Sequence, residues 1–151
     1  MESSPQDNKK SIWKAVALFG RFFVSQILGI AAALVLVFLE AGGLRWMIVS
    51  MPPERMGKAR ALTLSGFSTT PWYVGPVLYF LIFAAALSAA AICQYLFLWA
   101  SPSWRETVYC RNRMEPPRNI REGVGKRWTF FCWMLPIAFV LAPVFLWWAA
   151  R

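Results

Sequence analysis

Residues 72–100 read WYVGPVLYFLIFAAALSAAAICQYLFLWA, an apolar run with a tryptophan at or near each end. The hydrocarbon core of a bilayer is about 30 Å thick, and about 20 apolar residues cross it as a helix. Tryptophan and tyrosine concentrate where the membrane meets water. The run therefore predicts a helix that crosses a membrane, so that lipid is the solvent of this part of the chain.

Two further apolar runs lie on either side of this one. Each is also long enough to cross a bilayer, and tryptophans lie at or near its ends. The pattern predicts an all-α integral membrane protein. We expect its three transmembrane helices over about 16–40, 72–99 and 128–149.

The composition agrees with this class. Of the 151 residues, 58% are hydrophobic and 15% are charged, whereas a soluble domain has about 45–50% and 25%. The segments between the runs are too short to bury a soluble core of their own. We therefore interpret residues 1–151 as a single membrane domain, with a mobile N-terminal tail over 1–12.

The first run continues into a second apolar stretch after Gly42 and Gly43. An unbroken helix from Trp13 to Trp46 would be about 50 Å long, well over the thickness of the hydrocarbon core. Paired glycines commonly end a helix. We therefore predict a break near Gly42–Gly43. An interfacial segment over about 44–52 would follow, either along the interface or tucked back against the helices.

The distribution of charge predicts the orientation. With three spans, the N-terminus and the loop 101–127 share one side, which holds 11 of the 16 Lys and Arg residues, against 5 on the other side. Cytoplasmic segments carry an excess of Lys and Arg. We expect the N-terminus and this basic loop in the cytoplasm and the C-terminus on the opposite side. The membrane would be a bacterial inner membrane or an organellar one.

The chain has no histidine and three cysteines. The lack of an imidazole excludes histidine-ligated haem, histidine-based zinc sites and histidine general bases. The cysteines form no CxxC pair, and two of them lie in apolar runs, where a thiol packs as a small hydrophobic group. We predict no catalytic residue, no cofactor, no metal ligand and no enzymatic activity.

The basic loop 101–127 is the densest polar segment. Guanidinium groups suit the phosphates of anionic lipids or the carboxylates of a partner protein; the alternative is an ordinary positive-inside loop. The net charge of +9 is explained by membrane topology, so we expect no nucleic-acid partner. The candidate lipid- or partner-docking residues are Arg105, Arg111, Arg113, Arg118, Arg121, Lys126 and Arg127.

Small and amide side chains predict how the first two spans pack. Small residues four apart permit close approach of two helices, and amides at the same depth form interhelical hydrogen bonds. The alternative is that alanine is merely tolerated in lipid. The predicted helix-packing residues are Gly29, Ala33, Ala84, Ser88, Gln26 and Gln94. Two charged residues of the first run, Arg21 and Glu40, lie near its ends, where we expect both to be interfacial.

No residue pattern identifies a reaction. We expect a non-catalytic accessory or structural subunit of a larger membrane complex, which braces helices and binds lipid headgroups or a partner through the basic loop. Its partners would be other membrane protein subunits and anionic lipids. One alternative is a homo-oligomeric channel or small transporter, because three helices are too few to enclose a pathway alone. A second alternative is a small lipid-active membrane enzyme that uses Cys110 and Glu115.

Overall fold

The computed structural model describes residues 5–64, 72–109, 120, 122 and 125–151. The elements formed by these residues are helices, in the order α1 (Pro5–Val49), α2 (Pro53–Leu64), α3 (Val74–Trp99), α4 (Pro102–Tyr109) and α5 (Lys126–Ala149). Three stretches are long and apolar enough to cross a membrane: Ile12–Val49, Val74–Trp99 and Lys126–Ala149. The predicted all-α membrane fold with three spans is therefore confirmed.

α3 is the central helix of the bundle, since it packs along both α1 and α5, which contact each other only slightly. The middle of α3 is made of small residues, and Ala84, Ala85, Ala86 and Ser88 are all buried. Small side chains let neighbouring backbones approach closely in a membrane, where packing contacts replace the hydrophobic effect. The composition of α3 thus places it between the other two spans.

The larger core cluster lies at the end of the bundle where α1 ends and α3 begins. It joins side chains from all three spans to α2, whose Ala59 and Leu62 are buried in it. A smaller cluster of Ala84, Ala85 and Ala138 lies deeper, with Leu36 of α1 packed against it. Burial of Ala59 and Leu62 docks α2, an otherwise polar and basic helix, against the spans.

The predicted break near Gly42–Gly43 is wrong. α1 continues through both glycines to Val49, and in the described residues only Gly125 has a positive φ, of 64°. Leu44 and Ile48 are buried in the larger core cluster, which holds the segment 44–52 against the bundle. In apolar surroundings the backbone groups must also bond within the helix, so glycine ends a helix less readily than in water.

α1 is longer than a bilayer is thick, and its extra residues lie at the N-terminal end. The Arg21 Cζ atom is 5.9 Å from the centroid of the Phe97 ring, so this turn of α1 is level with the last turn of α3. From Arg21 to the exposed Trp46, α1 rises about 37 Å, close to the 40–45 Å of a bilayer with its headgroups. Residues 5–20, the N-terminal extension, continue past this level for about 24 Å.

α4 begins directly after α3 and lies against α1. Trp104 of α4 stacks on Phe22 at 6.2 Å between ring centroids. The Ser101 hydroxyl lies 3.5 Å from the backbone nitrogen of Trp104, from which it accepts a hydrogen bond at the start of α4. The aromatic pair fixes α4 at the end of the bundle from which the N-terminal extension projects.

α5 begins after Gly125, whose positive φ favours glycine. The helix runs to Ala149 with Pro136 and Pro143 inside it. Membrane helices tolerate interior prolines when neighbouring groups satisfy the freed carbonyls.

Candidate functional site

An amide pair joins α1 and α3. Gln94 Nε2 donates a hydrogen bond to Gln26 Oε1 at 3.0 Å, as expected from the depth of the two residues in antiparallel spans. The Gln94 side chain lies against Gly29: a Cβ atom at Gly29 would be 2.6 Å from Gln94 Nε2 and 2.7 Å from its Cγ. Glycine at this position therefore leaves the room that the amide pair needs.

The other predicted packing residues lie at different depths. Ala84 and Ser88 are buried, and the Ser88 hydroxyl donates to the Ala84 carbonyl oxygen at 2.7 Å within α3. Gly29 faces Gln94, which is about 15 Å along α3 from Ala84, so Gly29 does not pack on Ala84. Ala33 is half-buried. Leu36 of α1, two turns beyond Gly29, packs against the cluster that contains Ala84 and Ala85.

The predicted docking residues that the structure describes lie at the end of the bundle with the N-terminal extension. The Arg105 Cζ atom is 5.8 Å from the centroid of the Trp99 ring. Lys126 and Arg127 are exposed at the start of α5. The remaining docking candidates lie outside the described residues: Arg111, Arg113, Arg118 and Arg121.

Glu40 is the one charged side chain buried among the described residues, and it is only 3% exposed. Neither of its carboxylate oxygens has a hydrogen-bond partner in this part of the chain. Glu40 shares a buried stripe of α1 with Leu44 and Ile48, at four-residue spacing. The sequence placed it at the interface, and the structure places it inside the bundle, because α1 continues unbroken beyond it. A polar group in such a position is costly in lipid and commonly has a function.

A cleft of about 540 Å³ opens between α1, α2 and α3 at the end of the bundle opposite the N-terminal extension. Arg45 of α1 and Arg60 of α2 both line it. Sequence reasoning missed this cleft, because it depends on how α2 docks. The sequence signal that could have indicated it is the pair Arg45 and Arg60, which lie beside apolar stretches on the same side of the membrane.

No group of three or more His, Cys, Asp or Glu side chains that could hold a metal ion occurs in the described residues. In comparisons of the chain with protein families, curated proteins and solved structures, nothing matches.

Proposed function

We propose that this chain is a non-catalytic accessory subunit of a larger membrane complex. Its three spans form a helical bundle that supports the complex, and its N-terminal extension binds another subunit. The observation that carries this proposal is the apolar surface of the extension, which lies beyond the level of Arg21, where α3 ends.

Four large apolar side chains between residues 12 and 20 of the extension are exposed. Ile12 is 56% exposed, Trp13 67%, Val16 55% and Phe19 72%. With Arg21 at the membrane boundary, Ile12 lies about 14 Å outside it. Exposed apolar groups of this kind mark a surface that another molecule covers. A partner subunit that covers the N-terminal extension accounts for the apolar side chains on its surface.

Cations lie close to the same end of the bundle. Lys14, Lys126 and Arg127 are exposed there, and they favour an acidic partner surface or anionic lipid headgroups. We propose that the basic loop 101–127 makes this second contact. By the positive-inside rule, this end lies in the cytoplasm, or in its organellar equivalent.

The homo-oligomeric channel has less support. Its polar lining would consist of Gln26, Ser88 and Gln94, yet each of these bonds within the chain. They therefore contribute to packing inside one bundle.

Site-specific photo-crosslinking in native membranes tests the accessory-subunit proposal. A photoreactive residue at Trp13 or Phe19 should form a discrete adduct with one other protein. Leu34, which is 55% exposed and lies in the middle of the span, is the control and should react with lipid alone. If Trp13 and Phe19 also react only with lipid, α1 is tilted into the bilayer and the proposal is wrong. A single homogeneous species without a co-purifying chain in mild detergent would contradict it independently.

A further inference from the structure

The cleft between α1, α2 and α3 has the two kinds of surface that an amphiphile needs. Its walls are apolar and include Leu44 and Ile48 of α1 and Leu78 and Ile82 of α3. Its edge is polar and consists of Arg45, Arg60, Thr63 and Tyr79. A volume of about 540 Å³ falls within the range of about 300–1,000 Å³ that is typical of small-molecule sites.

The hydroxyl groups at the edge hold the cleft in shape. The Thr63 hydroxyl is 3.0 Å from the carbonyl oxygen of Ala59, one turn earlier in α2. The Tyr79 hydroxyl of α3 donates to the Thr63 carbonyl oxygen at 3.5 Å. The contact from Tyr79 joins α2 to α3 beside the arginines, so that Arg60 is held on the same cleft as Arg45.

The side chains of the two arginines at the cleft have no aromatic or acidic partner in the part of the chain that the structure describes. Three other arginines of the described chain lie over aromatic rings: Arg21, Arg55 and Arg105. Arg45 and Arg60 form neither a ring contact nor an ion pair with any described side chain. Two like charges from separate helices that share one opening repel each other unless an anion lies between them.

We propose that this cleft binds an anionic phospholipid, with its phosphate between Arg45 and Arg60 and an acyl chain along Ala41, Val49 and Ile82, the apolar residues of the cleft that are not buried in the core. The planar guanidinium groups match phosphate oxygens through paired hydrogen bonds. The apolar walls favour a membrane lipid over a soluble anion, since a free phosphate leaves them uncovered. The net positive edge favours an acidic headgroup over a zwitterionic one, whose positively charged ammonium group would lie beside the same two cations. This site is at the opposite end of the bundle from the proposed partner surface and does not depend on it.

Native mass spectrometry of the intact chain in mild detergent tests the proposal. Phosphatidylglycerol and phosphatidylcholine with identical acyl chains are titrated separately. The wild type should retain one phosphatidylglycerol and bind phosphatidylcholine much more weakly. Substitution of both arginines by glutamine should weaken phosphatidylglycerol binding about 30-fold, equivalent to about 2 kcal/mol.

Lys58→Gln is the control for the loss of a positive charge from α2. It removes one charge outside the cleft, and it should bind phosphatidylglycerol as the wild type does. Replacement of both arginines by lysine keeps the charges but loses the paired hydrogen bonds, so binding should be intermediate; this variant guards against a folding defect in the glutamine variant. Equal retention of the two lipids, unchanged binding by the glutamine variant, or displacement of the lipid by millimolar inorganic phosphate would each overturn the proposal.

Discussion

The side chain of Gln94 lies directly against Gly29, where it reaches the amide of Gln26. A Cβ atom at Gly29 would be 2.6, 2.7 and 2.9 Å from the Nε2, Cγ and Cδ atoms of Gln94. The obstruction extends along the side chain and is not confined to its flexible end. The contact between α1 and α3 therefore depends on glycine at position 29 and on the amide of Gln94.

Gly29→Ala is expected to destabilise the bundle by about 1–3 kcal/mol, the usual cost of overpacking. The added methyl group must displace Gln94 and break its hydrogen bond to Gln26. Reversible unfolding in mixed micelles measures the effect. The control is Gly42→Ala in the same helix, where nothing lies within 4 Å of the added Cβ atom. That variant should be neutral or more stable, because alanine favours helix. Equal effects of the two substitutions would contradict the close contact.

A double-mutant cycle on Gln26→Leu and Gln94→Leu should give a coupling free energy of about 0.6–1.7 kcal/mol. Each single substitution leaves one amide without its partner, whereas the double substitution leaves neither. The unfolding free energies of the four proteins supply the cycle. Strict additivity of the two substitutions would show that the 3.0 Å hydrogen bond contributes nothing to stability.

Glu40→Met is expected to raise the free energy of unfolding by about 1–3 kcal/mol. The carboxyl group is buried without a hydrogen-bond partner among the described residues, and a buried polar group in that condition costs about this much. Methionine keeps the length of the side chain and removes its polar atoms. Unfolding in mixed micelles checks the prediction, with Glu54→Met on the exposed start of α2 as the control.

The control variant, Glu54→Met, should change the free energy of unfolding by less than about 0.5 kcal/mol. A loss of stability in Glu40→Met would mean that this carboxyl group has a favourable partner in the native protein. If Glu40→Met instead proves more stable but the complex loses activity, the carboxyl group is retained for function at the expense of stability.

Thiol labelling in intact cells tests the orientation. In a background without native cysteines, Lys58→Cys on α2 and Lys126→Cys at the start of α5 place one thiol at each end of the bundle; both positions are exposed. The charge distribution predicts that a membrane-impermeant reagent labels position 58 from outside and position 126 only after permeabilisation. The reverse pattern would show that the N-terminus is outside.

The spans could be predicted from the sequence because they depend on local composition. About 20 apolar residues between aromatic ends suffice to define a transmembrane helix, whatever its neighbours are. The Gln26–Gln94 pair was also predictable, because the rise of 1.5 Å per residue fixes the depth of each amide in antiparallel helices.

Other features were decided only by tertiary structure. Gly42 and Gly43 favour the end of a helix, because each glycine inside a helix lowers its stability by about 1 kcal/mol relative to alanine. Burial of Leu44 and Ile48 against α2, α3 and α5 outweighs that cost and keeps α1 continuous. The same packing encloses Glu40 and brings Arg45 to the cleft with Arg60.

The sequence by itself determined which segments enter the bilayer, because the partition of a helix into lipid depends on its own surface. Only the packed bundle decided where α1 ends and which polar groups it encloses, because those outcomes depend on contacts between segments far apart in the chain.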